Sequence, residues 1–162
     1  MQNNITRFLD SKKIPYTAFS LSAEKHSGLE TAEILQVPPE VVYKSIVFQR
    51  ERPGKYILAV VPSTGEVDPK KLARLLDEKK VQVVSQKEAE RITGLQTGGI
   101  SPLALINRGF QVVIDESATA LEYMHISGGV RSLNIRLAPS DLIRLVNAKS
   151  GGICAAADNS QV

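Results

Sequence analysis

Lys44 stands inside an apolar stretch, Val41-Val42-Tyr43-Lys44-Ser45-Ile46-Val47-Phe48. If a strand starts near Tyr43, the period of two puts Lys44 on the same face as Ile46 and Phe48. An ammonium at the head of an apolar face must find a partner or reach water. Two arrangements meet that demand. The lysine either snorkels from a strand end, or it is a fixed cation in a cleft, offered to a phosphate or a developing oxyanion.

The second segment able to do chemistry is Thr97-Gly98-Gly99-Ile100-Ser101-Pro102. Paired glycines let the backbone approach a ligand closely, and their N–H groups can converge on an oxygen. Pro102 stiffens the exit. A plain turn leaving the preceding helix accounts for the same residues. Ser101 has no base near it in sequence, which makes it a poor nucleophile.

Other chemistries are absent from the pattern. There is no Gly-x-x-x-x-Gly-Lys-Ser/Thr loop and no Gly-x-Ser-x-Gly elbow, which argues against a P-loop nucleotide hydrolase and an α/β-hydrolase serine. Only His26 and His125 are present, far apart, with the lone Cys154, so neither a metal nor a disulfide is expected. His125 falls within a strand pattern and reads as structural. His26, in a loop beside Ser27-Gly28, reads equally as surface or pocket.

These residues need elements to hold them. Asn3-Asn4 precede Ile5, Phe8 and Leu9 at helical spacing. Thr31 is expected to cap a short helix carrying Ile34 and Leu35. Asp68-Pro69 opens a helix with Leu72, Leu75 and Leu76 as its buried stripe. Ser85 and Glu88 form a capping box, and Gly94 stops that helix. Pro139-Ser140-Asp141 opens a last one bearing Leu142, Leu145 and Val146. Strands are expected at Ser45–Gln49, Tyr56–Pro62, Val81–Val84, Gln111–Asp115, Tyr123–Ile126 and Leu133–Leu137. The first two flank Pro53-Gly54 and the last two flank Gly128-Gly129, both as hairpins. The run Ile57–Val61 is apolar throughout, so both faces of that strand should be covered. The fold class is α/β or α+β, a curved mixed sheet with short helices around it.

Bulk properties set the frame. The 162 residues suit one domain, spanning 1–149, with a polar, alanine- and glycine-rich tail over 150–162 that should fray. No apolar run approaches membrane-spanning length and Met1 leads into polar Gln2-Asn3-Asn4, which points to a soluble, cytoplasmic protein without a membrane partner. A single cysteine fits a reducing compartment. No coiled-coil heptad is present, which points to a monomer. The net charge of +3 and pI near 9.0 sit at the lower edge of a nucleic-acid footprint. Lys70, Lys71 and Arg74 are expected on one exposed helix side, with Lys79-Lys80 extending it; that side is either a solvated face or a phosphate-binding one.

Taken in order, Val-Tyr-Lys-Ser entering a strand, Thr-Gly-Gly-Ile-Ser-Pro, and Ser-Gly-Gly-x-Arg at 127–131 resemble the YbaK/EbsC family of trans-editing aminoacyl-tRNA deacylases, related to the editing domain of prolyl-tRNA synthetases. The similarity runs from about Ile5 to Ala148. It implies a curved mixed β-barrel wrapped by helices, no metal or cofactor, and the acceptor end of a tRNA, most closely proline tRNA, as partner, with or without a synthetase. It implies that Lys44 is the required lysine beside the terminal adenosine. Gly98, Gly99, Ile100, Ser101 and Pro102 would line the aminoacyl pocket, and Ser127, Gly128 and Gly129 its opposite wall. The nearest branch removes cysteine from proline tRNA through attack of the substrate's own thiol. That branch carries an aromatic residue where this chain has Leu21 and an acidic one where it has Asn134, which leaves alanine, serine or an analogue open as the amino acid. A catalytically weak tRNA-binding module of the same fold is the other outcome.

Overall fold

The computed structural model describes residues 2–156. In chain order it contains α1 (Asn4–Ser11), β1 (Tyr16–Ser20), α2 (Gly28–Leu35), β2 (Tyr43–Arg50), β3 (Ile57–Pro62), α3 (Pro69–Leu75), β4 (Val81–Val83), α4 (Gln86–Thr93), β5 (Gln111–Asp115), β6 (Met124–Ser127), β7 (Leu133–Leu137), α5 (Pro139–Val146) and β8 (Lys149–Gly151). The strands form two sheets, ordered β1-β7-β6 and β4-β2-β3-β5-β8. They meet at a bridge between Val42 and His125. They form two separate sheets and not the expected barrel, because among the described residues no strand pairing beyond that single bridge joins them.

β3 is the axis of the larger sheet. It pairs antiparallel with β2 and parallel with β5, which makes the sheet mixed. Its residues alternate between two cores: Leu58 and Val60 face one, and Ile57, Ala59 and Val61 face the other. The first core lies between the sheets and takes Ile5 and Leu9 of α1 and Leu142 of α5. The second lies under α3, where Leu72 is fully buried; truncating it to alanine would cost about 2–5 kcal/mol. The same alternation on β2 sends Tyr43 and Val47 into the first core and Ile46 and Phe48 toward the second.

The helix starts follow side-chain capping. Asn3 accepts the Thr6 N–H through Oδ1 and donates through Nδ2 to the Gly128 carbonyl, which ties α1 to the β6–β7 turn. Asp68 caps α3 ahead of Pro69, and Ser85 caps α4, which Gly94 ends in a left-handed conformation at φ 73°. α2 differs from expectation: Ser27, not Thr31, is its cap, in a reciprocal box with Glu30. Thr31 sits one turn inside, its hydroxyl donating to the Ser27 carbonyl. The helix buries Thr31 and Ala32 and leaves Ile34 exposed.

Two strands lie outside the expected set. β1, with mostly half-exposed residues, pairs with β7. β8 runs through the segment expected to fray, pairing Ser150 with Ile114 and Gly151 with Asp115. Beyond it Ile153 is completely buried, and Cys154 bridges to Val67. The domain therefore continues past residue 149, because this segment supplies apolar and backbone partners that the β3–α3 loop lacks. Residues 157–162 lie outside the described residues.

Candidate active-site cleft

A cleft of about 450 Å³ opens between the start of β2, the N-terminal turn of α2, the loop before Ser101 and the β6–β7 hairpin. Of the residues singled out from sequence, it gathers Leu21, His26, Lys44, Gly98, Ile100, Ser127 and Asn134. Lys44 is placed by the strand alternation, its side chain 28% exposed and its Nζ donating to Glu66 Oε1 at 3.0 Å. It is thus a partnered cation at the rim.

The glycine loop enters the cleft only in part. Gly98, at φ +92°, needs the left-handed region open to glycine, and Arg131 lies over it. The Gly99 N–H is spent on the Gln96 carbonyl at 2.7 Å, whereas the Gly98 N–H has no partner among the described residues. A Cβ on Gly99 would stand 3.1 Å from the Val130 Cα, so this glycine lets the loop lie against the hairpin. Ser101 is fully buried, caps the following 3-10 turn by accepting the Leu103 N–H, and does not line the cleft. Pro102, Gly128 and Gly129 are likewise outside the lining. Gly128 packs against Leu133 and donates to its carbonyl. These residues shape the wall from behind.

The loop is clamped at Thr97. Its N–H donates to Glu90 Oε2 at 2.7 Å, and its carbonyl accepts from Arg131 Nε at 2.8 Å. The Thr97 N–H holds the Glu90 carboxyl below its usual range. On the other side, Gly28 lets α2 approach the end of β3: a Cβ there would fall 2.4 Å from that of Ser63.

The floor is polar. Asn134 is buried and its Oδ1 lies 2.9 Å from His125 Nδ1. Burial pushes the His125 pKa down, an effect the Asn134 hydrogen bond opposes and the nearby Arg136 reinforces. His125 is therefore structural, as its strand position indicates. His26 is at the mouth, with Nε2 3.0 Å from Ser22 Oγ.

Sequence reasoning missed Glu66 and Glu90, and it gave Arg131, the arginine of the Ser-Gly-Gly-x-Arg motif, no role of its own. Glu66 was recoverable: the β2–β3 register pairs Lys44 with Val61, which brings the segment after Pro62 beside the lysine. Glu90 carries no such signal, since its partner is seven residues on and beyond the helix end. Lys70 and Arg74 of α3 are exposed as expected. Lys71 is not on that open side; its Nζ donates to the Cys154 carbonyl at 2.9 Å, half-buried against the C-terminal segment. Among the described residues no set of His, Cys, Asp or Glu could hold a metal, and no helix is long and apolar enough to cross a membrane.

The aminoacyl-tRNA editing domain family matches residues 23–145. The chain is 31% identical over 150 residues to a protein of Enterococcus faecalis named "Putative Cys-tRNA(Pro)/Cys-tRNA(Cys) deacylase EbsC", covering 91% of this chain and 90% of that one. It is 28% identical over 98 residues to the proline–tRNA ligase of Geobacillus thermodenitrificans, covering 60% of this chain and 17% of the ligase. A solved "putative trans-editing enzyme for prolyl tRNA synthetase" shares the fold with a TM-score of 0.75 at 19% identity, over 96% of this chain and all of that one.

Proposed function

The chain belongs to the aminoacyl-tRNA editing domain family, and from that premise we propose that it deacylates mischarged proline tRNA in trans, with cysteine as the amino acid removed. The observation that carries this reading is the convergence of Lys44, the Gly98 loop and the Ser127–Asn134 hairpin on one cleft.

The chemistry asks little of the protein. An aminoacyl ester is already activated, so positioning and charge stabilisation suffice. The Lys44 ammonium offers positive charge to the terminal phosphate or the carbonyl oxygen. The unshared Gly98 N–H is a second donor at the same wall, and a donor aimed at an oxyanion contributes roughly 3–4 kcal/mol. With cysteine as substrate, its sulfur attacks the carbonyl carbon; the C–S bond forms, the ester C–O bond breaks, and the ribose oxygen leaves with the thiol proton. With other amino acids water takes the place of the sulfur. Leu21 and Asn134, both on the lining, are the residues whose exchange should alter amino-acid preference. Lys70 and Arg74 are proposed to meet acceptor-stem phosphates, and the protein to work as a single domain that includes its C-terminal strand.

Deacylation of cysteinyl- and alanyl-proline tRNA by the wild type and by a folded Lys44→Ala variant tests this. Rapid loss of cysteine, abolished in the variant, is expected. Turnover of alanine alone would move the substrate assignment, and no turnover with tRNA still bound would replace the enzyme by a binding module.

A further inference from the structure

The cleft presents Lys25, Lys44 and Arg131 against a single carboxylate, Glu66. A site meant only for the anionic end of a nucleic acid gains nothing from that carboxylate, which opposes phosphate and occupies Lys44. Yet the backbone at Glu66 is held in place. Its carbonyl accepts the Ala155 N–H at 2.8 Å, its neighbour Val67 bridges to Cys154, and Lys71 ties down the Cys154 carbonyl. Residues 154 and 155 thus buttress the backbone of the loop, and the Lys44 contact holds the carboxylate at the rim. Oε1 takes the Lys44 ammonium, while Oε2 has no partner among the described residues.

We propose that Glu66 is a specificity-determining residue that receives the α-ammonium of the aminoacyl group, an assignment that rests on the deacylase reading above. The α-ammonium is one carbon removed from the ester carbonyl. A substrate whose carbonyl stands before Lys44 therefore carries its own cation to the neighbouring carboxylate. Glu66 then holds two cations, and the ester carbonyl lies between them. The pair is open to water, with Glu66 83% exposed, and by itself contributes little. A bound substrate excludes water and strengthens both contacts. Acylating the amine removes its charge and leaves Glu66 without its second partner. The cleft is thereby selective for aminoacyl over N-acylated, peptidyl-like esters.

Initial rates on cysteinyl-, alanyl- and seryl-proline tRNA, each with a free or an N-acetylated amine, test the assignment in the wild type, Glu66→Gln and Glu66→Asp. The wild type is expected to prefer the free amine by about tenfold or more in kcat/KM, the scale of one charged hydrogen bond. Glu66→Gln is expected to bring that ratio toward one, mainly through a higher KM for the free amine, and Glu66→Asp to restore part of it. A merely structural role would lower both rates together and leave the ratio intact. Equal wild-type rates on the two forms, or a preference that survives Glu66→Gln, would overturn the assignment and leave the deacylase standing. No wild-type turnover of any form would overturn the deacylase reading and the assignment with it.

Discussion

His125 Nδ1 lies 2.9 Å from Asn134 Oδ1, and both side chains are buried. An amide oxygen only accepts, so the imidazole carries its proton on Nδ1 and donates it. The hydrogen bond fixes the amide of a residue that lines the cleft. A residue of the floor is oriented from behind by one that does not line the cleft.

That pair predicts a pH effect on stability. The folded-state pKa of His125 is below the ordinary 6.5, so the unfolded chain binds the proton more readily. The contribution is present above pH 6.5 and is lost as pH falls through and below that value. Urea midpoints should drop between pH 7.5 and pH 5, and less so in His125→Gln. Asn134→Asp should reverse the sign, since a carboxylate beside the ring favours the charged form; an NMR titration of His125 reads this directly.

The Thr97 clamp predicts a catalytic loss with little loss of fold. Glu90→Ala leaves the half-buried Thr97 N–H without its acceptor, though within reach of water. The freed loop should lower kcat/KM for deacylation by roughly tenfold, with a melting temperature only a few degrees lower. Arg131→Met, which releases the Thr97 carbonyl, should do the same. Unchanged kcat/KM in both variants would show that the loop needs no clamp.

Cys154 should be a poor nucleophile. Burial, with Asp115 nearby, pushes its thiol from 9.0 up to about 11. At pH 7.5 its thiolate fraction, and hence its alkylation by iodoacetamide, should be about 100-fold below that of the unfolded chain. Equal rates in the folded protein and in urea would contradict this.

The basic side of α3 makes a prediction about salt. Charge reversal at Lys70 and Arg74 should weaken tRNA binding and flatten its dependence on log salt by about 1 for each phosphate no longer engaged. Affinity and slope equal to wild type would leave this side a solvated face. Lys71→Glu belongs to a different test, because it removes the tie to the Cys154 carbonyl and should also destabilise the fold.

The amino-acid sequence by itself determined most of the local elements and their order, but not β1 or β8. Capping at Asn3, Asp68 and Ser85, the stop at Gly94 and the unbroken apolar run of β3 are short-range signals, and the helices and strands form where these signals lie. It also determined that Lys44 shares a face with Ile46 and Phe48, since period two is a property of any strand. Tertiary structure alone decided what Lys44 meets. Its partner Glu66 arrives through the hairpin register, and its backbone is held by Ala155 and Cys154 just beyond β8, in a segment whose glycines and alanines carry no strand preference of their own. Likewise Ser101 reads as a loop serine in sequence, yet it is a buried cap, because what a side chain faces depends on how the loop packs against the hairpin. Propensity and periodicity act over a few neighbours. The cleft is made of residues more than a hundred positions apart, from Leu21 to Asn134, and only the packing of two sheets on shared cores brings them together.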